Sequence, residues 1–175
     1  MIHSISEYYK SSPTIFVFMT VMAAVLFPLL VHAAPPIQGT PLGAILLPLF
    51  YVPLIALVLT DKVPAVLAAL VSPALNFLIT GNEQWSLLLI LTVELTVFTL
   101  LLQFLLARGK SYWAVITAIV LAKSVGAGLV LIFGLLPVAP FAYFSQSLST
   151  GLPGILILLL LGYLLVGRKK KPSGT

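Results

Sequence analysis

The sequence predicts an all-α integral membrane protein built as one bundle of six transmembrane helices. Composition is the first indication, because 61% of the 175 residues are hydrophobic and only 7% are charged. A soluble domain of this size could not bury so many apolar residues. The second indication is that apolar segments of about bilayer-crossing length recur along the whole chain. They lack the period-2 alternation of barrel strands, so helices are expected.

Six apolar segments occur between residues 13 and 167. They lie at about 13–34, 42–60, 63–81, 86–107, 113–136 and 152–167. Pro73 interrupts the third segment, and the sixth is shorter than a usual crossing. We therefore assign residues 1–167 to a single six-helix transmembrane domain and residues 168–175 to a basic tail.

The positions of Lys and Arg predict the orientation of the bundle. Cationic residues occur before the first segment, in two alternate connections and after the last segment: Lys10, Lys62, Arg108, Lys110 and the run "GRKKK" from residue 167. The other connections, near 35–41, 82–85 and 137–151, contain no Lys or Arg. Because cytoplasmic loops carry the excess of positive charge, both termini are predicted to be cytoplasmic. The expected location is the inner (plasma) membrane of a prokaryote.

One stretch near the first segment allows a different interpretation. "LLVHAAPP" (29–36) resembles a signal-peptidase site, which would make the preceding apolar run a cleaved signal sequence. Cleavage would leave five spans and would disturb the charge pattern. We therefore expect the first segment to be a transmembrane span.

Proline and glycine concentrate around the second and third segments. The loop "PPIQGTPLG" (35–43) is followed by Pro48, Pro53, Pro64 and Pro73. Such breaks are tolerated in a membrane where they face protein or a wet cavity. They indicate either packing kinks or a cavity that the loop covers. The aromatic connection 137–151 could likewise be an interfacial belt or a lid over the same cavity.

Two ionisable residues fall inside the predicted spans. Glu94 lies in "LTVELTVF" and Lys123 lies in "VLAKSVGAG", on consecutive antiparallel helices. At ~1.5 Å per residue, they lie about 12 Å and about 20 Å below the outer helix ends, within reach of a long lysine side chain. Either charge alone at mid-bilayer costs about 2.5–3.5 kcal/mol on insertion scales. A structural ion pair, a ligand site and a proton relay all remain open.

Small residues next to Lys123 indicate that its helix is interior. Gly126 and Gly128 would let a neighbouring backbone approach closely. Asn76, in the third span, is a second possible polar neighbour, although a lone membrane Asn usually makes an interhelical hydrogen bond. His32, near the outer end of the first span, is more typical of a solvated residue. The candidate substrate-binding residues are Glu94, Lys123, Asn76, Gln38, Thr40 and Gln146.

The sequence also lacks the motifs of common enzyme classes. It contains no G-x-x-x-x-G-K-[ST], no H-E-x-x-H and no G-x-S-x-G, and its only acidic residues are Glu7, Asp61, Glu83 and Glu94. There is no cysteine to form disulfides or thiolate metal sites. We therefore expect neither an enzyme nor a bound metal or cofactor. The clustered charges indicate topology rather than nucleic-acid binding.

Residues 39–82 resemble the second and third helices of the substrate-binding S components of energy-coupling factor (ECF) transporters. A Gly/Pro-rich loop leads to an apolar helix with a central proline, then to the ending "SPALNFLITG" (72–81). The resemblance continues through the mid-helix Glu94, the basic Lys123 beside small residues, and "TGLPGI" (150–155). It implies a six-helix subunit that captures a vitamin or similar small polar nutrient. Its implied partners are a transmembrane coupling subunit and two ABC-type ATPases.

Two other classes of protein would also fit the topology. One is a structural membrane scaffold of the cell-shape type, which would bind no small solute. The other is a proton-coupled carrier or channel that uses Glu94 and Lys123 and needs no ATPase partner.

Overall fold

The computed structural model describes residues 10–81, 83–109 and 112–167. Across these ranges the regular structure is helical, apart from one isolated antiparallel bridge between Ile37 and Thr40. The helices are α1 (Pro13–His32), α2 (Leu42–Leu46), a 3₁₀ turn (Pro48–Phe50), α3 (Tyr51–Leu59), α4 (Lys62–Thr80), α5 (Trp85–Ala107), α6 (Trp113–Phe133), α7 (Pro140–Thr150) and α8 (Leu152–Gly167). The predicted all-α class is confirmed. Lys110 and the predicted basic tail lie outside the described residues.

Four of these helices, α1, α4, α5 and α6, are each long and apolar enough to cross a bilayer. They correspond to the segments predicted at 13–34, 63–81, 86–107 and 113–136. Helices α7 and α8 meet the same criterion only when taken together, and the chain bends by 61° between them. Large apolar side chains such as Leu30, Leu131 and Ile132 remain exposed on the outside of the bundle. This outward apolar surface is what a lipid environment predicts.

The segment predicted at 42–60 is helical but divided. Leu47 adopts a left-handed backbone conformation (φ 52°), and the 3₁₀ turn that begins at Pro48 follows it. Proline cannot continue the hydrogen-bond ladder of α2, so the chain changes direction there. The Tyr51 hydroxyl donates to the carbonyl of Leu46, which the break has left without a helical partner. Gly154 of α8 packs directly against the same Leu46 carbonyl.

The predicted connection 137–151 contains a helix, α7, which the sequence analysis did not assign. Pro140 occupies its first turn, a position that needs no backbone N–H. Helix α7 packs mainly against α6 and reaches α8 through Gly151. The short helix α7 is therefore held against the helix that carries Lys123.

The buried core lies among α3, α5, α6 and α8. Its largest fully buried side chains include Leu54, Phe98, Leu102 and Ile119. Helix α4 instead buries small residues, because Ala65, Ala68 and Ala69 are completely covered. These alanines allow α4 to pack closely against α1 and α5. The close packing fixes α5 in the position from which Glu94 points into the bundle.

Candidate functional site

The two charged residues inside the bundle form a buried ion pair. Lys123 Nζ donates to Glu94 Oε2 across 2.6 Å between the adjacent helices α5 and α6. The Glu94 side chain is completely buried, and only 4% of the Lys123 side chain is exposed. Pairing compensates the cost of placing either charge alone at this depth. The depths counted along the sequence had placed the two residues within reach of each other.

A third residue, Tyr143 of α7, completes the site, and sequence reasoning did not identify it. Its hydroxyl donates to Glu94 Oε1 at 2.8 Å. Each oxygen of the carboxylate therefore accepts one charge-assisted hydrogen bond, from Lys123 or from Tyr143. One sequence feature could have indicated Tyr143: it is a tyrosine, able to donate a hydrogen bond, in the segment that was considered as a lid over the site of Glu94.

Gly126 makes room for the carboxylate on α6. It lies three residues after Lys123, on the same face of the helix. A Cβ atom built on Gly126 would lie 2.0 Å from Glu94 Oε1 and 2.8 Å from Glu94 Cδ. No side chain larger than hydrogen fits there without moving the acid. The glycine thus determines how closely α6 approaches Glu94.

The divided segment supplies an aromatic wall beside Lys123. The Lys123 ammonium nitrogen lies 5.7 Å from the centre of the Phe50 ring, in the 3₁₀ turn. Phe50 in turn packs edge-on against Phe98 of α5, with ring centres 5.1 Å apart. At this distance the ring face can stabilise the cation. Four elements therefore surround the charges: the 3₁₀ turn, α5, α6 and α7.

The other four predicted site residues have different surroundings and hydrogen-bond partners. Asn76 is buried on α4, and its Nδ2 donates to the Ser72 carbonyl at 2.8 Å. Gln38 and Thr40 belong to the turn closed by the Ile37–Thr40 bridge, and Gln38 is exposed. Gln146 is exposed on α7, three residues after Tyr143. Among the described residues, no hydrogen bond joins any of these four side chains to Glu94 or Lys123.

Two of the cavities in the described bundle are well defined, and neither of these two is lined by Glu94 or Lys123. One, of about 170 Å³, lies at the turn between α3 and α4 and includes Asp61 and Gln103. The other, of about 400 Å³, is an apolar cavity between α4 and α5 near Trp85. The part of the chain that the structure describes holds no group of three His, Cys, Asp or Glu side chains that could bind a metal.

The fold and the site define a helical, multi-pass membrane protein with a charge pair in its interior, and Tyr143 of the short helix α7 hydrogen-bonds to that pair. Comparisons with protein-family models, with curated proteins and with solved structures find no match. The resemblance to ECF S components therefore depends on the sequence motifs alone.

Proposed function

We propose that this protein is a membrane-embedded subunit that captures a small polar solute, such as a vitamin or a similar nutrient, for an energy-coupled uptake transporter. The observation that carries the proposal is the hydrogen bond from Tyr143, on the short outer helix α7, to the interior carboxylate of Glu94. We interpret the three-residue cluster of Glu94, Lys123 and Tyr143 as the closed, solute-free state of the site.

The shape of α7 supports a lid function. It is only 11 residues long, it exposes Ser145 and Gln146, and a 61° bend separates it from α8. A short, partly polar helix next to a bend can move at lower cost than a spanning helix. When α7 lifts, Glu94 Oε1 loses its donor and can accept an N–H or O–H group of a solute. Lys123 can meet an anionic group of the same solute.

We further propose six membrane crossings with both termini in the cytoplasm of a prokaryote. The divided segment α2–α3 would form the second crossing and α8 the sixth, because Lys and Arg then fall on one side. The chain contains no cysteine, so single-cysteine variants can be labelled without background. Ser145→Cys should react with a membrane-impermeant maleimide in intact cells. Asp61→Cys should react only after permeabilisation, and the reverse labelling would refute this orientation.

The energy source in this proposal is a partner. The sequence contains no phosphate-binding loop of the G-x-x-x-x-G-K-[ST] type. The resemblance to S components implies a transmembrane coupling subunit and two ABC-type ATPases. Uptake of the solute should then require the partner proteins, whereas binding should not.

Binding can be tested by thermal unfolding of the full-length protein in lipid nanodiscs with a panel of water-soluble vitamins. We expect at least one compound to raise the melting temperature (Tm) of the wild type and to have no effect on Glu94→Gln. Thr92→Val is the matched control, because its hydroxyl on the same helix bonds only to the Leu88 carbonyl. Stabilisation of Glu94→Gln equal to that of the wild type would exclude Glu94 from the site.

A structural role of the ion pair is the second candidate, and one observation favours it. Both oxygens of Glu94 already have donors, and the pair is almost completely buried. An ion pair with the purely structural role of holding α5, α6 and α7 together would have this geometry. It predicts that no compound in the panel raises Tm, although Glu94→Gln still lowers the stability of the bundle.

A further inference from the structure

Two buried polar atoms on α4 have no hydrogen-bond partner in the structure: the Ser72 hydroxyl and the Oδ1 atom of Asn76. Ser72 is completely buried and Asn76 is 7% exposed. Because they are four residues apart on one helix, they lie on the same face, one above the other. Buried polar groups are nearly always hydrogen-bonded in native proteins. Two unpartnered atoms on one face therefore indicate a bound molecule.

Ser72 differs from hydroxyl residues in comparable surroundings. In α5, the hydroxyls of Thr92, Thr96 and Thr99 each donate to the carbonyl one turn earlier, at 2.7–2.8 Å. This local bond is the usual solution for Ser and Thr inside a membrane helix. The Ser72 hydroxyl does not use it, although Ser72 is as completely buried as Thr99. It is therefore available to donate to a guest and to accept from one.

Pro73 adds a third polar atom to this face. It has no N–H, so the carbonyl of Ala69, four residues earlier, loses its α-helical donor. Ala69 is completely buried. The amide of Asn76 is oriented by its own bond, because Nδ2 donates to the Ser72 carbonyl and leaves Oδ1 as the free atom. The face thus offers two acceptors and one hydroxyl within two helical turns.

We propose that α4 binds an internal water molecule at the Pro73 break. The water donates to Asn76 Oδ1 and to the Ala69 carbonyl, and it accepts from the Ser72 hydroxyl. Buried waters typically make about three hydrogen bonds to otherwise unpaired groups, which is the number offered here. Ordered water is also one of the means by which proline breaks are satisfied in membrane helices. The site does not depend on solute capture and would exist in a purely structural protein.

Ser72→Ala tests the proposal through the sign of its effect on Tm. If water is bound, the variant removes one of the hydrogen bonds of the water and destabilises the protein. If the site is dry, the variant removes an unpaired hydroxyl and stabilises the protein. Ser124→Ala is the control on α6 for helix propensity, because Ser124 is exposed, its hydroxyl bonds within the helix to Val120, and its gain in helix propensity is the same.

We expect the Tm of full-length Ser72→Ala in nanodiscs to lie about 2–4 °C below that of Ser124→Ala. An equal or higher Tm for Ser72→Ala would overturn the bound water. A crystal structure from a lipidic mesophase should show density about 2.7–3.2 Å from both Ser72 Oγ and Asn76 Oδ1. An empty site in that density would also overturn the proposal. So would a rise in the Tm of the wild type in sodium chloride relative to choline chloride that is absent in Ser72→Ala, which would assign the site to a cation.

Discussion

Replacing Gly126 with alanine should damage the charge cluster without removing any of its polar atoms. The added Cβ would lie 2.0 Å from Glu94 Oε1, 2.8 Å from Cδ and 3.0 Å from Cγ. The acid must therefore move, and Oε1 is the oxygen that Tyr143 holds at 2.8 Å. Lys123 will follow the displaced carboxylate more easily than Tyr143, because the lysine side chain is longer and more flexible.

The size of the effect follows from three contributions. Overpacking a buried site costs about 1–3 kcal/mol, and a hydrogen bond to a charged group contributes about 1.5–3 kcal/mol. Alanine in place of glycine inside a helix returns about 1 kcal/mol. With partial relaxation of the acid, the net loss is roughly 2–4 kcal/mol. At ~2–4 °C per kcal/mol, Tm should fall by roughly 4–16 °C.

Thermal unfolding of the full-length protein in nanodiscs measures this loss, and Gly128→Ala is the matched control. A Cβ on Gly128 meets nothing within 4 Å, so this variant should be neutral or more stable by up to about 1 kcal/mol. In a Glu94→Ala background, Gly126→Ala should lose its penalty because the clashing side chain is absent. If Gly126→Ala were as stable as Gly128→Ala in the wild-type background, the assigned packing of Glu94 would be wrong.

Three further predictions concern the same bundle. Glu94→Gln should lower the free energy of unfolding by about 3–5 kcal/mol, because Lys123 stays buried without its partner. Adding Lys123→Met should recover most of that loss, and additive losses in unfolding experiments would contradict this coupling. Tyr143→Phe should release α7, so that a half-buried Ser147→Cys reacts several-fold faster with maleimide than in the wild-type background, and an unchanged rate would contradict the lid. Gly154→Ala should lower Tm more than the control substitution at Gly128, because its Cβ would meet backbone atoms of α2 at 2.4 Å; equal Tm values would refute this packing.

Much of the fold could be predicted because it depends on length and composition. The four spans α1, α4, α5 and α6 follow from long, mainly apolar runs. The division of the segment at 42–60 depends instead on the backbone of Leu47, whose left-handed conformation no propensity favours. Helix α7 was missed because it is short and most of its exposed residues are polar. Its position is determined by packing on α6, which a single sequence does not contain.

The candidate site, like the fold, could be predicted only in part. Glu94 and Lys123 are conspicuous because charges are rare in membrane spans, and helix geometry places them at comparable depth. Tyr143 is 49 residues from Glu94 in the chain, and no periodicity relates the two. Asn76 was predicted as a possible neighbour of the charges, and in the structure its amide donates to the Ser72 carbonyl of its own helix. The sequence thus defines which groups need partners, while tertiary packing defines which partners they find.

The two donors to Glu94 have different roles, because Lys123 compensates its charge whereas Tyr143 connects it to α7. This difference is what makes the proposed lid feasible. Lys123 neutralises Glu94, so the pair carries no net charge whether or not α7 is in place. Lifting α7 removes one donor from the carboxylate, which costs about 1.5–3 kcal/mol before packing is counted. Exposing an unpaired charge to the membrane interior would cost considerably more. In the proposed function, α7 can therefore open and close at an energy that binding of a solute can supply, because the charge pair beneath it stays intact.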